Sequence, residues 1–383
     1  MWIYKKRSNK QAAIEAVQKS VPVLTLICRL ILGLVFVFSG FVKVIDPLGL
    51  TYKIEDYLTA FGGFFSNFSF LALPLGVALP VLELVIGLNL LFKIKYRLTS
   101  ILAMFFMLVM TPLTLYIALY NPVTDCGCFG DALVITNWQT FFKNVVLIIL
   151  AFILLINTSQ HKPMFLSRIE WAIVTFFVGI GVALAVCSYN HLPLIDFRPY
   201  KIGVNIPEAM MVPEDAAADV YATTFIYEKE GVKKEFTLEN YPKNDSTWTF
   251  VDQKTVLVST GYKAPIHDFS IVNAAFDDIT EEVIYNPGAT YLLVMYDLNK
   301  ASEEGAKIAE KFYQKYKNST TRFYALTASG DDEVKSFVDK TKVTYPFCKT
   351  DPITLKTMIR ANPGLILIKN GTITGKWHWR DIE

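Results

Sequence analysis

Long apolar runs in the first half of this 383-residue chain constrain its fold more than any other feature. An α-helix rises about 1.5 Å per residue, so roughly 20 apolar residues cross a hydrocarbon core about 30 Å thick. The runs that meet or approach this length are Val21–Ile45, Phe70–Phe92, Leu98–Tyr120, Phe141–Ile156 and Ile169–Cys187. They predict a membrane-embedded all-α bundle of about five transmembrane helices, with a soluble part after it.

The charges beside these runs predict their orientation. Basic residues precede the first run without a small-residue cleavage site after it, which predicts a retained span and not a signal peptide. Cations also concentrate in residues 93–97 and 161–168, and short cytoplasmic loops carry an excess of Lys and Arg. We therefore expect a multi-pass protein of a bacterial inner membrane, with the N-terminus inside and everything after Cys187 in the periplasm.

The overall charge argues against a nucleic-acid partner. The formal net charge is only +2, and no basic stripe with interleaved aromatic residues is present. Proteins that bind nucleic acid non-specifically depend on such a positive surface. The lipid bilayer is the surrounding that this composition predicts.

A short polar loop between the third and fourth runs carries the residues best suited to chemistry. It runs from Asp125 to Asp131 with the sequence Asp-Cys-Gly-Cys-Phe-Gly-Asp. The predicted topology places Cys126 and Cys128 outside, with Cys187 at the outer end of the fifth span, and disulfides persist in oxidising compartments. A disulfide closed across one residue would be strained and easily reduced. We predict these three cysteines as a redox-active site.

Other interpretations of the cysteines stay open. A structural disulfide between the loop and Cys187 would hold the loop in place without any chemistry. A metal site is disfavoured, because two cysteines with Asp125 and Asp131 and no nearby histidine make a poor zinc ligand set. Cys348, much later in the chain, is either an inert core residue or a partner of the loop in a mixed disulfide.

Two charged residues fall inside the predicted spans. Arg29 and Glu83 lie at nearly equal depth when each is counted from the end of its apolar run. Intramembrane charges are costly and usually face a partner, so we expect these two to pair, either as a structural ion pair or as a proton or quinone site. Lys43 is expected to snorkel to the outer surface near Asp46.

The soluble part changes character once along its length. The runs Val220–Tyr227 and Lys234–Leu238 predict a β-hairpin. From about Pro265, strand patterns such as Phe269–Val272 and Tyr291–Tyr296 alternate with helical patterns, which favours helices packed on a mixed sheet. The predicted domains are therefore 1–192 in the membrane, 193–264 as a periplasmic linker with the hairpin, and 265–383 as an α/β domain.

The first half resembles the DoxX/MauE-type redox-associated membrane proteins. The motifs that carry this resemblance are Arg29-Leu30-Ile31-Leu32-Gly33, Ser39-Gly40-Phe41-Val42-Lys43, Asp46-Pro47, Pro80-Val81-Leu82-Glu83 with Gly87, and the twin-cysteine loop. MauE-like proteins are implicated in disulfide formation in periplasmic partners, so the resemblance implies a similar role here.

The last part is similar to thioredoxin-like domains of the peroxiredoxin and thiol-reductase type. The segment from Ile266 to Ile271 resembles their entry strand, and Asn362-Pro363 matches the position of their cis-proline. Where that family has Cys-x-x-Cys, this chain has Asp297-Leu298-Asn299-Lys300-Ala301-Ser302. The domain therefore lacks the dithiol that the family uses.

Two functional hypotheses follow. The first is a thiol-disulfide oxidoreductase that exchanges disulfides with periplasmic client proteins through Cys126 and Cys128, with a quinone near Arg29 and Glu83 as candidate cofactor and no metal, haem or flavin predicted. The second is a noncatalytic membrane scaffold, whose degenerate thioredoxin-like domain binds a periplasmic partner.

Overall fold

The computed structural model describes residues 2–123, 125–158, 165–243, 245–259, 261–317 and 319–383, without the side chains of residues 2–21, Leu257 and Ser259. Within these residues, five helical stretches are long and apolar enough to cross a membrane. They are Pro22–Val44, Gly63–Phe92, Tyr96–Tyr120, Asn137–Ile156 and Ser167–Asn190. The prediction of about five helices with the length and composition of membrane spans is confirmed. The His161-Lys162 part of the predicted inner loop lies outside the described residues.

The membrane part consists of six α-helices in the described chain. They are α1 (Trp2–Val44), α2 (Pro47–Phe61), α3 (Ala72–Phe92), α4 (Tyr96–Tyr120), α5 (Asn137–Ile156) and α6 (Ser167–Asn190). Helix α2 is too short to span and is followed by a 3₁₀ helix, Gly63–Leu71. The side chain of Asp46 caps its N-terminus by accepting from the Gly49 amide at 3.0 Å.

Helices α1 and α3 approach each other unusually closely at glycines. A Cβ atom on Gly40 would lie 2.5 Å from the Leu84 amide nitrogen, and one on Gly87 would lie 2.6 Å from the Val37 amide nitrogen. Only glycine permits this contact, as in other close helix pairs within membranes. The contact fixes the register of the two helices and therefore decides which of their charged residues meet.

The C-terminal part is an α/β region with a five-stranded mixed sheet. The strands are β4 (Ala289–Val294), β5 (Arg322–Thr327), β6 (Phe347–Lys349), β7 (Gly364–Lys369) and β8 (Thr372–His378), in the order β6-β5-β4-β7-β8. Strands β4, β5 and β6 are parallel, whereas β7 pairs antiparallel with β4 and β8 pairs antiparallel with β7. The accompanying helices are α7 (Ile206–Met210), α8 (Thr280–Ile284), α9 (Glu303–Tyr316), α10 (Asp331–Thr341) and α11 (Pro352–Met358).

The region between the membrane helices and the α/β region has two different halves. Tyr200 and Ile206 are buried in the hydrophobic core of the α/β region, so the chain has already joined that region before residue 210. Asp196 strengthens the junction, because it accepts from Arg198 at 2.7 Å and from buried Lys376 at 2.6 Å.

The second half of that region is a separate antiparallel sheet in the order β2-β1-β3. Its strands are β1 (Val220–Lys229), β2 (Val232–Thr237) and β3 (Thr249–Ser259). The predicted hairpin is present, with the third strand paired along β1.

One predicted strand is wrong. The segment Phe269–Val272 makes only isolated bridges, from Val272 to Asp278 and to Lys349. Its apolar residues, Phe269 and Ile271, are buried in the core, so their alternation reflects burial of an extended segment that forms no ladder. By contrast, the Asn362–Pro363 peptide bond is cis, as the resemblance implied.

Candidate redox site

The cysteine loop connects α4 to α5 and is fixed to the bundle by an aromatic anchor. Phe129, directly after Cys128, is buried with its ring 5.5 Å from that of Phe38 on α1. The ammonium of Lys143 on α5 lies 4.3 Å from the centre of the same ring, which is a cation–π distance. The loop is therefore held against the end of the helices instead of extending freely from them.

Hydrogen bonds to the loop backbone fix the two cysteines more tightly. The Ser39 hydroxyl donates to the Cys128 carbonyl at 2.6 Å, and the Tyr57 hydroxyl donates to the Cys126 carbonyl at 2.9 Å. Asp125 accepts from the Gly127 amide at 2.9 Å and from the Lys53 ammonium at 2.7 Å. Gly127 has φ +65°, a left-handed conformation that favours glycine, and this allows the tight turn between the cysteines.

The two sulfur atoms are in direct contact. Cys126 Sγ and Cys128 Sγ are 3.0 Å apart, both residues are half-buried, and both are free thiols. The Cys126 thiol, as hydrogen-bond donor, together with the charges of Lys143 and Lys43, lowers the pKa of Cys128 to about 6 against the opposing effect of burial. The same hydrogen bond, with burial, raises the pKa of Cys126. The pair thus has one thiol that ionises easily and one that retains its proton.

Beneath Cys128 lies a small polar cavity within the bundle. The buried ammonium of Lys43 forms an ion pair with the buried carboxylate of Glu83 at this point. The cavity has a volume of about 30 Å³, and its polar lining residues are Ser39, Lys43, Glu83, Cys128, Lys143 and Asn144. A volume of this size accommodates about one water molecule, so the cavity is too small for a quinone ring.

The expected pairing of Arg29 with Glu83 is wrong, and so is the expected snorkelling of Lys43. The glycine contacts set α3 against α1 so that Glu83 faces Lys43, while Arg29 lies about 21 Å farther along α1 at 1.5 Å per residue. Counting the depth of each charge from the end of its apolar run gave the wrong pairing, because the ends of the two runs do not lie at the same depth in the bundle. Asp46, the expected neighbour of Lys43, instead pairs with Arg360.

Arg29 lies in a different environment at the other end of the bundle. It lines an apolar cavity of about 640 Å³ with residues of α1, of α3 and of α6. The sequence-predicted cofactor residues Arg29 and Glu83 therefore do not share one site.

The remaining cysteines stand apart from the pair. Cys187 is a free, exposed thiol on α6. Cys348 is buried in the core of the α/β region, and this burial raises its pKa to about 11. Cys28, which lies on α1, is buried in the hydrophobic core of the helix bundle. The structure brings together Cys126 and Cys128 and leaves the third predicted site residue, Cys187, outside.

A residue that sequence reasoning did not identify links this loop to the α/β region. Arg360, only 6% exposed, donates to both carboxylate oxygens of Asp46 at 3.0 Å and to Asp131 Oδ2 at 2.8 Å. Its guanidinium also lies 5.4 Å from the centre of the Tyr52 ring. The partners are separated by 314 and 229 positions in sequence, so no local pattern could indicate the contact.

Further contacts extend the same interface. Tyr52 of α2 packs edge-on against Tyr296, with the ring centres 5.8 Å apart, directly before the segment 297–302. Lys300 within that segment lies 3.9 Å from Glu55 of α2. A cleft of about 270 Å³ remains between the two parts, lined by Gly127 and Asp131 on one side and Lys356 and Arg360 on the other. Among the described residues, no group of three or more His, Cys, Asp or Glu side chains is arranged to hold a metal ion.

Comparison with known proteins agrees with this division of the chain. Residues 21–157 match the family model "Methylamine utilisation protein MauE", and residues 221–260, which contain the three-stranded sheet, match a domain of unknown function, DUF8463. No curated protein matches the chain. The chain is therefore similar to MauE over its first four spanning helices and the cysteine loop, consistent with a multi-pass membrane protein.

A solved structure gives a weaker likeness. It is titled "Solution structure of a putative protein disulfide isomerase from Bacteroides thetaiotaomicron" and shares 18% identity with this chain. The match covers 29% of this chain and 75% of the other, with a TM-score of 0.24, which is too low to carry an argument about fold.

Proposed function

We propose that this protein is a membrane-bound thiol-disulfide oxidoreductase that exchanges disulfides with periplasmic proteins through Cys126 and Cys128. The observation that carries the proposal is the 3.0 Å contact between two free sulfurs held in one polar loop, with cationic side chains beside one of them. Thiol exchange needs a thiolate and a neighbouring sulfur to accept or release it, and this pair provides both. The similarity to MauE supports a redox role in a membrane.

The geometry assigns different roles to the two sulfurs. In the oxidising direction, a client thiolate attacks Cys126 Sγ of the loop disulfide, the S–S bond breaks, and Cys128 leaves as a thiolate. A second client thiolate then attacks the client sulfur of the mixed disulfide and releases Cys126, which takes up a proton. The client loses two electrons and the loop gains them. Cys128 is the better leaving group because Lys143 and Lys43 lie near it and stabilise its thiolate, and these charges remain when Cys126 is in the mixed disulfide.

A quinone is the candidate acceptor that restores the loop disulfide. Such a group would supply an acceptor for the two electrons and two protons that the loop dithiol loses. The cavity beneath Cys128 has room for only about one water molecule, so it would not hold the quinone ring. The ion pair of Lys43 and Glu83 lies beside that cavity, where it can exchange a proton with Cys128.

The α/β region is proposed to lie in the periplasm on the same side as the loop and to be thioredoxin-like. Its contacts with α2 and the loop support this placement, because residues in contact across an aqueous interface share one side of the membrane. The segment from Asp297 to Ser302 contains no cysteine, so this region serves the loop or a partner without exchanging disulfides itself.

Trapping of mixed disulfides tests the proposal. The variant Cys128→Ser keeps Cys126 as a single thiol. When it is incubated with an oxidised client, the Cys126 thiolate attacks the client disulfide, one client sulfur leaves as a thiolate, and no second loop sulfur resolves the product. We therefore expect the client joined to Cys126 to accumulate, detected by non-reducing electrophoresis and mass spectrometry. Cys126→Ser should trap little, and Cys187→Ser should behave as the unaltered protein does. The alternative, a noncatalytic scaffold, would give no mixed disulfide with any variant and an unchanged redox state of the pair when quinone is depleted.

A further inference from the structure

The cysteine loop is attached both to the helix bundle and to the α/β region. From the bundle, Phe129 anchors it beside Phe38 and Lys143. From the α/β region, Arg360 holds Asp131, three residues after Cys128, at 2.8 Å. The second attachment comes from a separate part of the chain, so it can be released without disturbing the bundle.

Arg360 is well suited to hold two structural elements together. Its side chain is 8% exposed and meets two carboxylates, Asp46 at the start of α2 and Asp131 in the loop. A further hydrogen bond runs from Arg360 Nη1 to the carbonyl of Lys356 at 2.5 Å and fixes the guanidinium to α11. Because Arg360 is buried and Asp131 is exposed, the contact with Asp131 can open while Asp46 still compensates the Arg360 charge.

The cysteine loop has to be released from its neighbours before the sulfur atoms can react. Both cysteines are half-buried, and their neighbours are side chains of the bundle and of α2: Ser39, Lys43, Tyr57 and Lys143. A client sulfur must approach in line with the S–S bond, which requires the loop to move away from these neighbours. From the α/β region, Arg360 opposes this movement through its contact with Asp131.

We propose that the α/β region is a clamp on the cysteine loop and that Arg360 is its positioning residue. With Arg360 on Asp131 the loop is closed, and undocking of the α/β region frees the loop for exchange. This role explains why a region without its own dithiol presents the face that carries Tyr296 and Lys300 to α2. The inference deepens the proposed function, because it concerns access to the same sulfur pair.

The test measures thiol reactivity in the reduced, full-length protein. A maleimide is added to protein in vesicles at pH 8, and the alkylation rate at each cysteine is followed by peptide mass spectrometry. Reaction of a covered group is proportional to its open population. We therefore expect Arg360→Gln and Asp131→Asn each to raise the rates at Cys126 and Cys128 by about fivefold or more.

Controls separate release of the loop from general damage. Exposed Cys187 should keep its rate in every variant, and Arg322→Gln, which removes an ion pair of the same region with Glu282 at 2.7 Å, should leave the loop rates unchanged. Arg360→Lys should restore part of the protection, because lysine keeps the charge but not the forked geometry. The double variant of Arg360→Gln and Asp131→Asn should react no faster than either single one.

Several results would overturn the clamp. If Asp131→Asn leaves the rates at Cys126 and Cys128 unchanged, Arg360 does not hold the loop. If Arg360→Gln also makes buried Cys348 reactive, that variant has unfolded the α/β region, and Asp131→Asn, whose change lies outside that region, then decides. Because the thiols are reduced chemically beforehand, these rates do not depend on redox cycling, so the clamp and the proposed function can fail separately.

Discussion

Cys128 and Cys348 are both largely withdrawn from solvent, yet their surroundings give them opposite chemistry. Cys128 has a thiol donor in contact and lysines nearby, and its pKa falls to about 6. Cys348 packs in an apolar core, and burial alone raises its pKa to about 11. Burial therefore does not decide reactivity by itself. The charges and donors around the sulfur decide whether its thiolate is stabilised.

The largest expected effect comes from removing one sulfur of the pair. Cys126→Ser or Cys128→Ser should abolish net oxidation of a client, because neither variant can form the loop disulfide. Cys348→Ser should leave it intact. Oxidation of a reporter protein in cells measures both. If all three variants lost client oxidation equally at unchanged protein levels, the loop cysteines and Cys348 would not differ in their role.

The buried ion pair beneath Cys128 should contribute strongly to stability. Glu83→Ala removes the partner of Lys43 and leaves an uncompensated charge in the bundle, which costs about 3–5 kcal/mol in comparable buried pairs. Thermal unfolding in detergent measures the loss. The exposed pair of Lys340 with Glu303 at 2.5 Å provides a matched control, for which Glu303→Ala should lower the stability far less, because water screens exposed ion pairs. If both substitutions lowered the unfolding temperature equally, the buried ion pair would contribute no more to stability than the exposed one.

The pH dependence of alkylation should distinguish the two cysteines directly. A thiolate reacts and a thiol does not, so the rate rises with pH through the pKa and is constant above it. The rate at Cys128 should therefore rise through about pH 6 and level off by pH 8. The alkylation rate at Cys348 should still increase at pH 10, measured under conditions in which the protein stays folded. A midpoint near 8.5 at Cys128 would contradict the assigned environment.

A smaller effect should follow from the cation beside Phe129. Lys143→Gln removes a positive charge that stabilises the Cys128 thiolate, so the midpoint of the alkylation profile should move to higher pH. Lys53→Gln, which removes the partner of Asp125, is the comparison variant and should move the midpoint less, since Lys53 is not among the groups that lower the pKa of Cys128 most. The same mass-spectrometric assay measures both.

Sequence reasoning located the membrane helices and the cysteine loop but not the contacts that define the site. Apolar length and the Cys-Gly-Cys spacing are local signals, and both correspond to features of the structure. The partner of Glu83 was misassigned because it depends on how Gly40 and Gly87 set the register between α1 and α3. Arg360 was missed because its partners are hundreds of positions away. Long-range packing of this kind leaves no pattern in neighbouring residues.

The glycine contact between α1 and α3 has a mechanical consequence. With the two backbones already touching at Gly40 and Gly87, these helices cannot slide or tilt relative to each other without a steric clash. They form a rigid pair, so we expect any movement of the cysteine loop to occur in the segment after α4 and not between these two helices. Spin labels on α1 and α3 should accordingly report one narrow distance in both oxidation states.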